Sequence, residues 1–345
     1  MTKKTAVVIC PGRGTYNKTE LGYLHKYHSG KMDFIKSVDD YRFKTDLPSI
    51  WELDGRTEYS TKEHIPGENS AAIIYACSYG DFLDIDQEKI EVVAVAGNSM
   101  GWYLACVCAG ALNVQNGTHV INSMGSQMRE KLIGGQIIYP EVDENWNYSP
   151  ELSALIDEKM NEINKNGPEV FTSIFFGGLR VIGGTEAGLR LMLKALPLRE
   201  ERYPFKLMGN AAFHTPLLTE TSQKAKEQLR PELFQSPRLP LVDGRGKIWM
   251  PHATDINALW DYTLGHQVDH TFDFTTSVEV AVKEFAPDYL IITGPGMTLG
   301  GAVAQVLINE KLKPIHNKED FKNLQATNPY IISMAEPDQR KLVVK

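Results

Sequence analysis

No run of apolar residues in this 345-residue chain approaches the roughly 18 needed to cross a bilayer. The first apolar stretch, Ala6 to Cys10, is too short for the core of a secretory signal. Cysteine is scarce: Cys10, Cys77, Cys106 and Cys108 sit inside apolar patterns, which predicts reduced core residues and not a disulfide framework. Cys106 and Cys108 lack a second pair to complete a zinc site, so no metal is expected. Positive charge is in deficit as well. With 36 Lys and Arg against 43 Asp and Glu the net charge is −7, which argues against nucleic acid as a principal partner. Internal repeats and low-complexity segments are missing. These absences predict a cytoplasmic protein with neither a membrane nor a nucleic-acid partner, and its length and 42% hydrophobic content suffice for one large domain plus a smaller one.

What the chain does have is concentrated in VVAVAGNSMGWYLACVCAGAL, which starts at Val92. Residues 92–96 read as a strand buried on both faces, and residues 100–111 as a helix. Between them Gly97-Asn98-Ser99-Met100-Gly101 fits the G-x-S-x-G elbow that presents a serine nucleophile at a strained turn. A Cβ at Gly97 or Gly101 is expected to clash with the neighbouring turn. Ser99 then lies at a helix amino end, where free N–H groups favour developing negative charge. The pentapeptide alone is equally compatible with a tight strand-helix turn carrying an incidental serine.

Residues 5–10 form another short apolar strand, leading into the glycine-containing loop Pro11-Gly12-Arg13-Gly14-Thr15. That loop lacks the third glycine and following helix of a dinucleotide fingerprint. Residues 17–68 read as short helices and loops over the surface, residues 70–83 as a helix, and residues 117–132 as a helix with Val120, Met124 and Met128 on one face. The middle of the chain changes character. Strand candidates at 136–140, 171–176, 179–182 and 204–208 alternate with helices at 149–166 and 185–196, the latter capped by Thr185. This βαββαβ order suits an inserted ferredoxin-like unit. Strand and helix alternation of the larger type resumes at 239–242, 277–285 and 289–293.

A serine needs a base, and nine histidines compete for the role. His214 is the best candidate, because Pro216 fixes the chain just beyond it in Asn210-Ala211-Ala212-Phe213-His214-Thr215-Pro216-Leu217. His25, His28, His64, His119, His252 and His316 lie among polar residues and read as solvated. His266 and His270 have helical i, i+4 spacing, but with no Glu between them and no third ligand they read as loop residues.

Taken together, the motifs ICPGRGTY, AGNSMGWYLACVCAGAL, AAFHTPLL, Gly265-His266-Gln267 with the following 274–280, and Thr293-Gly294-Pro295-Gly296 resemble, in order and spacing, those of malonyl-CoA:acyl-carrier-protein transacylases. The resemblance covers most of the chain. It implies an α/β-hydrolase-like core with a parallel sheet, residues 1–133 and 207–345, and an inserted ferredoxin-like α+β subdomain, residues 134–206. It also implies that Ser99 carries the acyl group, that His214 takes and returns its proton, and that backbone N–H groups of Met100 and Arg13 form the oxyanion hole. The main-chain carbonyl of Gln267 would orient the histidine in place of a triad aspartate. An acyl-CoA thioester is the implied substrate and the phosphopantetheine thiol of an acyl carrier protein the implied acceptor, with no bound cofactor.

Departures from the family pattern concern the acyl pocket. Asn98 replaces a histidine, Trp102 a glutamate, and Arg13 a glutamine; Met124 stands where the family's arginine holds the malonyl carboxylate. A bidentate arginine contact is worth roughly 1.5–3 kcal/mol, so its loss favours a neutral acyl group such as acetyl. Phe213 before His214 matches instead the pairing that accompanies malonyl in related polyketide acyltransferases. Arg13 either replaces the missing cation or is a solvated loop residue facing away. Two further readings stay open: a hydrolase of acyl thioesters using the same Ser-His pair, and a catalytically silent carrier-binding module.

Overall fold

The computed structural model describes residues 2–129 and 132–345. Among them the strands are, in chain order, β1 (Lys4–Cys10), β2 (Ile90–Gly97), β3 (Gly135–Pro140), β4 (Val170–Phe176), β5 (Leu179–Gly184), β6 (Phe205–Leu207), β7 (Leu241–Val242), β8 (Ile248–Trp249), β9 (Phe272–Asp273), β10 (Tyr289–Ile292) and β11 (Ile331–Ser333). The larger sheet has the order β11-β10-β1-β2-β7-β8 and is parallel except for its last pair. β1 and β10 end in continuous buried apolar runs, as a parallel strand inside the sheet requires. β1 and β2 are neighbours in register up to the pair Cys10–Gly97, so the loop after β1 and the turn after β2 leave the sheet side by side at its carboxyl edge. The Asn98 N–H closes the gap by donating to the Cys10 carbonyl at 3.0 Å. Ligand sites of open α/β sheets form at such edges.

The second sheet has the order β6-β3-β5-β4-β9. Its first four strands, with helices Pro150–Lys165 and Glu186–Ala195, are the expected ferredoxin-like unit, and Thr185 caps the second helix by accepting from the Gly188 N–H. Ile137, Tyr139, Ile156, Val170, Ile182, Leu189 and Met192 give this unit its own small core. The fifth strand comes from far along the chain: β9 pairs with β4 through Ile174–Phe272 and bridges the unit to the segment that follows His266.

Several expectations need correction. The helix anticipated over 117–132 runs from Val114 to Ser126, because the Asn113 side chain caps it by accepting from the Asn116 N–H; Glu130 and Lys131 lie outside the described residues. The segment 17–68 does form short helices, yet it buries Leu24, Ile35, Val38, Ile50 and Leu53 in the main core. His28 and His64 are fully buried and not solvated. His64 sits between the Leu53 carbonyl, 2.9 Å from Nε2, and Ser60. His28 lies against Asp81 and Asp84, which Arg340 and Lys31 neutralise. His266 opens a one-turn helix, His266–Asp269, with its ring stacked on His270 at 4.6 Å between centroids. No helix among the described residues is long and apolar enough to cross a membrane.

Candidate active site

The turn after β2 is built by close approach. A Cβ on Gly97 would lie 2.0 Å from the Gly101 carbonyl oxygen, and one on Gly101 would lie 2.3 Å from that of Cys10. Only glycine fits either position, and the resulting squeeze holds Ser99 at φ 56°, in the left-handed region. The helix Gly101–Cys108 starts two residues later with every residue buried. Its amino end therefore points at Ser99 from a dry interior.

His214 reaches this serine from the loop after β6. Its Nε2 is 2.7 Å from Ser99 Oγ, and its Nδ1 is 2.5 Å from the Gln267 carbonyl. A carbonyl oxygen only accepts, so Nδ1 carries the proton and Nε2 of the neutral ring is free to accept from the serine hydroxyl. The backbone is fixed to the same short helix, since the His214 N–H donates to the Val268 carbonyl at 2.8 Å. Burial drives the His214 pKa down to about 4, against the opposing pull of the Gln267 carbonyl, so the imidazole is neutral at pH 7.

Gln267 does more than its main chain suggested. Its Nε2 donates to the Ser99 carbonyl at 2.9 Å, and its Oε1 accepts from the Tyr103 hydroxyl at 2.9 Å. One buried residue thus holds both the serine turn and the histidine. The small sheet adds a second brace, because Ser173 on β4 donates to the Phe213 carbonyl at 2.8 Å and Gln136 on β3 donates to Ser173. Tyr103, Ser173 and Gln136 were not among the residues singled out from sequence. The available signals were Gln136 in an otherwise apolar strand and the Thr172-Ser173 pair in another; Tyr103, on the elbow helix, gave none.

A cavity of about 40 Å³ opens at Ser99 and His214. Met100, Met124, Phe213, Gln267 and Arg13 line it, as do Ala71, Tyr103, Ile121 and Gly125. The N–H groups of Met100 and Arg13 meet no acceptor among the described residues. Two residues expected in the acyl pocket are elsewhere. Trp102 is fully buried behind the turn, donating from Nε1 to Thr263 at 3.0 Å with its ring edge-on to Tyr262. Asn98 packs beside Gly12 and does not line the cavity. Arg13 is half-buried: its Nε is enclosed without a partner, and Nη2 donates to the Ile65 carbonyl at 3.1 Å.

No family model matches the chain. The malonyl CoA-acyl carrier protein transacylase of Bacillus subtilis is 24% identical over 220 residues, 64% of this chain and 66% of that protein. The matched stretch therefore spans just under two thirds of each protein. Among solved structures, an acyl-carrier-protein S-malonyltransferase from Burkholderia pseudomallei superposes with a TM-score of 0.75 at 18% identity, covering 98% of both chains. A malonyl-transacylase in complex with its type II PKS acyl-carrier protein superposes with a TM-score of 0.70 at 20% identity, covering 88% of this chain and 93% of that one. The chain thus has the fold of the malonyl-CoA:acyl carrier protein transacylases over nearly its whole length and resembles that family in sequence.

Proposed function

We propose that the protein is a malonyl-transferase-like acyl-CoA:acyl-carrier-protein transacylase working through a Ser99-His214 dyad and a covalent acyl-serine. The observation that carries this reading is the aligned chain Ser99 Oγ, His214 Nε2, His214 Nδ1, Gln267 carbonyl, at 2.7 and 2.5 Å. Ser99 Oγ attacks the thioester carbonyl carbon while its proton passes to His214 Nε2. The carbonyl oxygen, now negative, is held by the N–H groups of Met100 and Arg13 at the helix amino end. Collapse breaks the carbon-sulfur bond, and the leaving thiolate of coenzyme A takes the proton from His214. The carrier's phosphopantetheine thiol then repeats the sequence in reverse: it gives its proton to His214, attacks the serine ester, and Ser99 Oγ leaves with that proton.

On this reading residues 1–133 and 207–345 form the catalytic subdomain, and residues 134–206 the smaller one that braces Phe213 and His214 from the side. The active protein needs no bound cofactor beyond its coenzyme A substrate. The test is to incubate the protein with an acyl-CoA and weigh it before and after adding a holo carrier protein. An adduct that moves to the carrier supports transfer. Free acid released without carrier points to hydrolysis instead, and no adduct from any thioester removes both readings.

A further inference from the structure

Charged groups taken out of water are normally paired, because an unpaired one loses several kcal/mol of hydration with nothing in return. Arg13 is half-buried and only partly paired. Among the described residues no carboxylate lies within ion-pair distance of its guanidinium; Nε is enclosed without a partner, and the single protein acceptor is the Ile65 carbonyl at 3.1 Å. Burial pulls its pKa down to about 10, with Glu68 acting in the opposite sense, so the group is still a cation at pH 7. Arg13 lines both the Ser99 cavity and the wider recess beside it, and its guanidinium bonds Ile65 in the wall of that recess.

A helix amino end lies beside Arg13, with Glu68 in the first turn. Nη1 lies 3.7 Å from the point a Cβ on Gly67 would occupy, and that point is 2.4 Å from the Gly125 carbonyl oxygen, next to Met124. Gly67 begins the helix Gly67–Asp84, whose first N–H groups, at Gly67 and Glu68, meet no acceptor among the described residues. A guanidinium and the positive end of an 18-residue helix therefore converge beside the cavity. The guanidinium packs beside Gly67 and Gly209, with Nη1 3.7 Å and Nη2 3.9 Å from the points where their Cβ atoms would lie.

We propose that the Arg13 side chain selects short acyl groups ending in a carboxylate, doing from the loop after β1 what no side chain at position 124 of this chain does. This rests on the transacylase reading and deepens it. Reach decides between the anions on offer. With the thioester carbonyl at the Arg13 N–H, a side chain of six bonds at roughly 1.5 Å each ends within about 7 Å. A carboxylate two bonds beyond the reacting carbon falls inside that radius. The phosphate of the coenzyme A arm, about a dozen bonds from the sulfur, falls outside it. Size agrees with a short acyl group, since the cavity at Ser99 is small, about 40 Å³. Met124 then packs against the methylene.

The test is labelling of Ser99 by malonyl-, acetyl- and butyryl-CoA, read as intact mass. Wild type is expected to take malonyl at least about tenfold faster than either neutral group, the factor a charge-assisted hydrogen bond of about 1.4 kcal/mol supplies. Arg13→Gln should erase that ratio, Arg13→Lys should restore part of it, and Arg13→Gln with Met124→Arg should restore it from the other side of the cavity. Wild type that labels equally from all three, or prefers a neutral group, overturns the proposal while leaving the transacylase reading intact. So does an Arg13→Gln variant that keeps the malonyl ratio, or one that loses all three thioesters in equal measure, as a phosphate contact would predict. Absence of label from every thioester in wild type overturns the transacylase reading and this proposal with it.

Discussion

Gly101→Ala adds one methyl group where the first residue of the elbow helix meets the end of β1. The new Cβ lands 2.3 Å from the Cys10 carbonyl oxygen and 2.8 Å from that of Pro11, both main-chain atoms that have no rotamer to yield. Ordinary contact requires the strand end or the helix to recede by roughly 1 Å. Overpacking of this kind costs about 1–3 kcal/mol, partly offset by the better helix propensity of alanine. The larger consequence is geometric, because the displaced loop carries the Arg13 N–H and the displaced helix carries that of Met100. A shift of about 1 Å between groups that act together lowers a rate by about 100-fold. Urea unfolding and the rate of Ser99 acylation, measured on the same preparation, check both parts. Gly301→Ala is the internal control, since nothing lies within 4 Å of its added Cβ in the helix Leu299–Asn309, and it should gain about 0.5–1 kcal/mol. A Gly101→Ala protein with wild-type stability and acylation rate would refute the close-approach argument.

Further outcomes follow from the same structure. His214 titrates near 6.5 in the unfolded chain but at about 4 when buried, so the unfolded state binds the extra proton between those values. Its contribution to stability is intact above about pH 6.5 and is lost as pH falls toward 4, about 3 kcal/mol in all; a His214→Asn variant with the same slope in that window would contradict this. Acylation should hold down to about pH 5 and fall with a midpoint near 4, and a midpoint near 6.5 would mean a solvated imidazole. Trp102→Phe should cost about 1 kcal/mol through the lost bond to Thr263 while leaving acyl preference unchanged, and a changed preference would put the ring in the pocket after all. Arg340→Met should cost about 3 kcal/mol by leaving Asp81 buried beside His28 without its cation, and a change below 1 kcal/mol by chemical denaturation would refute that role.

The parts of this site that were legible in sequence are those whose physics is local. The glycines of the elbow, the apolar run of β2, the Thr185 cap and the proline after His214 each constrain the few residues beside them, and those residues fold as read. What stayed hidden depends on partners distant along the chain. Trp102 follows an elbow glycine, but its helix is buried all round, so position along it does not say which interior the ring enters; Thr263, 161 residues away, decides that. His28 and His64 look solvated among polar neighbours because Asp81 and the Leu53 carbonyl meet them only in the folded chain. Arg13 is the sharpest case. Its charge was plain, but where the side chain goes depends on the Ile65 carbonyl, 52 residues along the chain, which accepts from its Nη2.

The most direct test of the central claim locates the acyl group. Wild-type protein, Ser99→Ala and His214→Ala are incubated with malonyl-CoA, digested, and every acylated peptide is identified by mass spectrometry. The geometry predicts a single acylated residue, Ser99, in wild type, no adduct in Ser99→Ala, and greatly slowed labelling at the same serine in His214→Ala. An adduct on any other residue, or undiminished labelling of Ser99→Ala, would contradict the assignment of Ser99 and His214 as nucleophile and base.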